Sequence, residues 1–155
     1  MQQTRAEQLQ DIVEKYREAG ESWPATMRTV AGWAIRQGHW KPHRDDLVSQ
    51  CSRELADALR EEYATDSENR RYRKKHAYTT KQGTFWVDID DATPQQMEMA
   101  TAQRRKGILG DCHQLKVDVD HYNKYNNHQT VIQIDFNFIE DLAEMDQPVT
   151  YAGKA

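Results

Sequence analysis

Six positive charges fall within residues 70–81: Arg70, Arg71, Arg73, Lys74, Lys75 and Lys81. Five rings, Tyr72, His76, Tyr78, Phe85 and Trp86, are interleaved with them or follow closely. Cations at this density displace counterions when they meet phosphate, and the neighbouring rings can stack on bases or pack on one another. The chemistry on offer is anion recognition, not bond making. A second acid-free window, residues 22–44, holds Arg28, Arg36, Lys41 and Arg44. The two windows carry +10 in a chain of net charge −4, so the remainder carries −14. Residues 126–153 contain five acids and neither Lys nor Arg. Local arrangement, not the sum, sets the potential a partner meets.

Residues suited to catalysis or metal binding are present but poorly spaced. His39 and His43 are separated by Pro42 and do not share a helix face; with Cys51 or the Cys112–His113 pair they match no zinc pattern. Asp88, Asp90 and Asp91, or Asp118 and Asp120, could serve a metal-dependent nuclease, but neither set has a His or Lys at a telling distance. There is no P-loop and no dinucleotide fingerprint. The expectation is therefore no enzyme, no metal and no cofactor, with both cysteines as free thiols.

With 155 residues, of which 37% are hydrophobic and 30% charged, the chain is expected to fold as one domain with an appended terminal element. Four Trp, seven Tyr and three Phe are too much ring surface for a disordered chain. No apolar run approaches 18 residues, so no membrane span is expected. The N-terminal stretch lacks the apolar centre of a secretory leader, and a cytoplasmic location follows as an expectation.

The elements that must carry these residues can be read from periodicity. Leu9, Ile12, Val13 and Tyr16 mark a helix over 4–19, with Thr4 and Glu7 as a capping box. Ser22 and Pro24 open a second helix carrying Met27, Val30, Trp33 and Ala34, which stops at Gly38. A third helix, about 44–63, has Leu47, Val48, Cys51, Leu55, Ala58 and Leu59 as its expected buried stripe. Residues 70–79 and 84–90, joined across Gly83, predict a β-hairpin in which Arg71, Arg73 and Lys75 form one row. Thr93, Pro94 and Gln96 start a helix to about Tyr125, kept as one element in spite of Gly107 and Gly110. Ile108, Cys112, Leu115, Val119 and Tyr122 repeat along it with a 3.5-residue period, the mark of a helix-pairing seam. Ile132, Ile134, Phe136 and Phe138 alternate as a half-buried strand, and a short acidic helix follows. This helix seam and strand are expected to form a homodimer interface.

Three helices with the turn RQGHWKPHRDDLVSQ between the second and third, then a basic hairpin, resemble the winged helix-turn-helix superfamily over about residues 4–91. The fold class expected is α+β, mainly α: a winged-helix domain at 1–91, then a long helix, a strand and a short helix at 92–155. The resemblance implies that the N-terminal half of the third helix faces the major groove of double-stranded DNA, with His43, Arg44, Ser49, Gln50 and Arg53 as reading residues. It implies that the wing, with Arg71, Arg73, Lys75 and Lys81, lies along the backbone or in the minor groove. Arg28, Arg36 and Lys41 would add phosphate contacts, as in a dimeric transcriptional or mobile-element regulator. The third helix also carries Asp45, Asp46, Glu54, Asp57, Glu61 and Glu62, whose charge opposes DNA along its second half. That favours an alternative, a protein-interaction adaptor or accessory subunit with an acidic C-terminal surface.

Overall fold

Helix α1 (Arg5–Glu18) begins where expected: Glu7 N–H donates to Thr4 Oγ1 at 3.2 Å, and Thr4 N–H donates to Glu7 Oε2 at 2.7 Å. Helix α2 (Met27–Arg36) begins later than expected, because Thr26 and not Ser22 caps it by accepting from Thr29 N–H. The Ser22 carbonyl instead accepts the Tyr16 hydroxyl at 3.1 Å. Tyr16 meets Trp33 edge to face, with centroids 5.5 Å apart, and Val30 and Ala34 complete the buried cluster. Trp40 packs against that cluster, so both Trp33 and Trp40 are packing residues.

The coordinates are a computed structural model, which describes residues 3–42, 44–126 and 130–147, with the side chains of Arg44 and Asp45 left out. The chain is mixed α and β, mainly helical, and forms two compact units, Met1–Leu59 and Arg60–Ala155.

Helix α3 (Arg44–Arg60) departs from expectation in its packing. Leu47, Val48 and Leu55, expected to be buried, are exposed by 59%, 74% and 61%. Periodicity establishes which residues share a helix face; it does not supply the surface that covers it. The helix also stops before Tyr63, which instead opens a strand.

In the second unit, β1 (Tyr63–Thr65) pairs antiparallel with β2 (Arg71–Arg73), and β3 (Lys75–Thr80) pairs antiparallel with β4 (Gly83–Asp88). The single strand expected over 70–79 is thus two strands that change partner at Lys74. Lys74 N–H donates to the Glu62 carbonyl, and its own carbonyl accepts from Ile89 N–H, so the ladder passes from β1 on one side to the β4 end on the other. Thr80 faces Gly83 across the two-residue loop Lys81–Gln82, where Gly83 adopts φ 135°, a conformation closed to other residues without strain.

Helix α4 (Pro94–Tyr125) opens with a capping box of Thr93 and Gln96 and runs unbroken through both glycines. Its Gln103 amide grips both backbone groups of Thr79, and Gln96 Nε2 donates to the Tyr78 hydroxyl, so β3 is anchored on the helix. The strand expected over 132–138 forms no ladder among the described residues. It is an extended segment whose Ile132 N–H and carbonyl are satisfied by the side-chain amide of Asn123. Alternation gave the segment its two faces, but a strand also needs a neighbouring edge. Helix α5 (Ile139–Met145) follows. No helix among the described residues is long and apolar enough to cross a membrane.

Candidate nucleic-acid interface

The β1–β2 register determines what the basic run presents. Tyr63 pairs with Arg73, and Thr65 with Arg71, which puts both arginines on the face that carries the Tyr63 ring. Arg71 Cζ lies 4.0 Å from that ring's centroid and Arg73 Cζ 6.0 Å from it. Each such cation–π contact at an exposed site is worth on the order of 0.5–1 kcal/mol. Among the described residues, neither guanidinium pairs with a carboxylate. Tyr63 therefore acts as a shelf under two uncompensated charges.

The other charges of the run are largely spent inside the fold. Arg70 donates Nε to Asp66 at 2.9 Å and pairs with Glu68 at 2.9 Å. The Asp66 carboxylate also accepts the backbone N–H of Arg70 and of Glu68. Those bonds, led by the Arg70 backbone N–H, hold the Asp66 carboxyl below the usual aspartate range against an opposing effect of desolvation. Lys74 reaches Glu62 at 3.5 Å. Lys75 faces Asp88 across β3–β4 and bonds its carboxylate. That hydrogen bond raises the Lys75 pKa and lowers that of Asp88.

The row of Arg71, Arg73 and Lys75 expected from alternation is thus a pair, because the change of partner at Lys74 sends Lys75 into the second hairpin. Acids from outside the window compensate much of the run. Glu62, Asp66, Glu68 and Asp88 lie outside or at the edge of the window in sequence but across from it in the fold. Lys81 stands at the β3–β4 turn, exposed and without an ion pair among the described residues.

The rings of the second hairpin serve packing. Tyr78 stacks on Phe85 at 5.8 Å, and Trp86 lies beneath the Arg60 guanidinium. Tyr63, which reads from sequence as the last residue of a helix, is the residue the sequence reasoning missed. The available signal was the pair of short alternating arms, YAT and RYR, around the turn DSEN, where Asn69 takes φ 64°.

In the first unit, Arg28, Arg36 and Lys41 are exposed and make no ion pair among the described residues. On α3, Ser49 and Arg53 are exposed, while Gln50 Nε2 donates to Glu54 at 2.8 Å. His43 lies outside the described residues, as does the side chain of Arg44. Asp46 sits 3.8 Å from Arg5. Along α4, Ile108, Leu115 and Tyr122 are exposed and Cys112 and Val119 half-buried; Ile132 and Phe138 of the extended segment are exposed, Ile134 and Phe136 half-buried. Both cysteines are free thiols. Among the described residues no group of three His, Cys, Asp or Glu is gathered as a metal would require. No protein-family model, no curated protein and no solved structure matches this chain.

Proposed function

We propose that this protein binds double-stranded DNA as a homodimer, in the manner of a winged-helix transcriptional or mobile-element regulator. The observation that carries the reading is the pair Arg71 and Arg73, held over Tyr63 with no carboxylate among the described residues to pair with them. A ring beneath a guanidinium restricts its rotamers without satisfying its donors, which leaves them directed at an acceptor such as phosphate. Lys81, at the far turn of β3–β4, offers a further exposed cation, while Lys75 stabilises the hairpin through Asp88. In the first unit Arg28, Arg36 and Lys41 supply further phosphate contacts, and Arg44, Ser49, Gln50 and Arg53 line the first half of α3, the half that reads base edges.

The test is a low-salt gel-shift titration with an arbitrary duplex. Arg71→Ala with Arg73→Ala should weaken binding to every sequence and lower the salt slope by roughly one unit per lost contact. No retardation of any duplex by the wild-type protein would overturn the reading.

A second reading, a protein-interaction adaptor, is favoured by the exposed stripe Leu47, Val48 and Leu55 on a helix that also carries four acids, with Glu61 and Glu62 just past its end. A basic protein partner recovered by pull-down, with no co-purifying nucleic acid, would select it.

A further inference from the structure

The second unit leaves two complementary surfaces uncovered. The segment runs back along α4 from Asn123, which holds Ile132, to the stretch between Arg105 and Lys116, with which Phe136 and Phe138 share a groove. Between segment and helix lies an open groove of about 460 Å³, lined by Ile108, Leu109, Cys112, Phe136 and Phe138. Ile108 and Leu109 are 54% and 59% exposed there. Helix α5 then displays Ile139, Leu142 and Met145 on one face, exposed by 75%, 59% and 81%. Residues three apart on a helix share a face, so these form a single apolar ridge. The ridge does not enter the groove of its own chain.

Charge follows the same division. Arg104, Arg105 and Lys106 form a basic cluster on α4 just before the groove, and Glu140, Asp141, Glu144 and Asp146 surround the α5 ridge. None of these seven makes an ion pair among the described residues. Farther along α4, Asp120 is ion-paired with Lys116, and Lys124 offsets Asp118, so that end offers α5 no net positive charge.

We infer that two copies of this chain pair in parallel along α4 and exchange their α5 helices, the apolar ridge of each seating in the other's groove with its acids against the other's Arg104–Lys106. The occupant is a second copy because groove and ridge belong to one chain, match in polarity, and have opposite charge. The orientation follows from level. Phe138, the residue before α5, lines the same groove as Arg105, so a parallel partner presents its basic cluster at that end; an antiparallel one would present the end where Lys116 and Lys124 offset Asp118 and Asp120. Parallel pairing brings six like charges together near the axis, which the six acids of the two α5 helices and their two Asp146 caps neutralise. It also places Cys112, a seam position, opposite Cys112 of the second copy.

This rests on the homodimer part of the reading above, and its test contains no DNA, so its failure leaves the roles of Arg71 and Arg73 to the gel shift. In a full-length Cys51→Ser variant, copper-phenanthroline oxidation should give a disulfide-linked dimer through Cys112. Charge reversal of the basic cluster (R104E, R105E and K106E together) should weaken self-association at least about tenfold in sedimentation velocity, as should reversal of α5 (E140K, D141K and E144K). Mixing the two reversed proteins should restore a dimer, since each then offers the other the opposite sign at both contacts; restoration also shows that both variants fold. A monomeric wild type, a dimer that does not cross-link at Cys112, or failure of the mixture to recover association would each overturn the inference.

Discussion

Asp66 illustrates how a single carboxylate shapes the basic surface. By accepting two backbone N–H groups and the Arg70 side chain, it closes the β1–β2 turn and offsets the charge of Arg70. Its pKa is lowered in the fold, so its contribution to stability is present above the ordinary aspartate value of 3.8 and is lost as pH falls through the lower folded value. The same sign holds for Asp88, whereas Lys75, with a raised pKa, contributes below 10.5 and loses that contribution as pH rises beyond it. Thermal unfolding followed across acid pH should show stability falling below 3.8, and Asp66→Asn should flatten part of that fall. An unchanged acid profile in the variant would show that the turn does not depend on the charge. At this scale the sequence was partly legible: the cations were visible, but their partners were not, since Glu62, Asp66 and Asp88 reach them only through strand pairing.

At the scale of elements, α4 is the part whose sequence signals agree with one another. Its capping box, its proline at the first position and its sustained periodicity outweigh two interior glycines, each costing about 0.5–1 kcal/mol relative to alanine. An added Cβ at Gly107 or Gly110 meets nothing within 4 Å. Gly107→Ala and Gly110→Ala should therefore each stabilise the fold by about 0.5–1 kcal/mol in urea unfolding. Both positions lie off the face of Ile108 and Cys112, so association should be unaffected; a loss of association would place the seam elsewhere. The hairpin arms were less legible. Residues 70–79 alternate well enough for one continuous strand, and only the bonds of Lys74 to Glu62 and Ile89 reveal that two strands meet there. The segment 131–138 has the opposite history: its alternation is clear, yet Asn123 and not a strand holds its backbone.

For the whole molecule the balance of burial is the governing fact. Among the described residues only Tyr16, Val30, Trp33, Ala34 and Ala100 are buried hydrophobics, while large side chains on α3, α4 and α5 stand open. A chain of this length ordinarily buries about two thirds of its unfolded surface, and exposed apolar faces on that scale mark interaction surfaces. Stability should then be linked to assembly by mass action. The unfolding midpoint is expected to rise with protein concentration over the micromolar range, and a midpoint independent of concentration would argue against the homodimer. This property was not visible in the sequence, where every apolar stripe is equally a candidate for burial within its own chain.

What the sequence determined by itself was local: the capped starts of α1 and α4, a hairpin turning just before or at Gly83, and the packing roles of Trp33 and Trp40. These depend on backbone preference and on neighbours within a few residues, which the order of amino acids specifies directly. Only the tertiary structure decided which cations remain uncompensated, that Tyr63 supports Arg71 and Arg73, and that the apolar faces of α3 and α5 stay uncovered. Those outcomes depend on which distant surfaces meet, and alternation or periodicity assigns a residue to a face without naming what lies opposite.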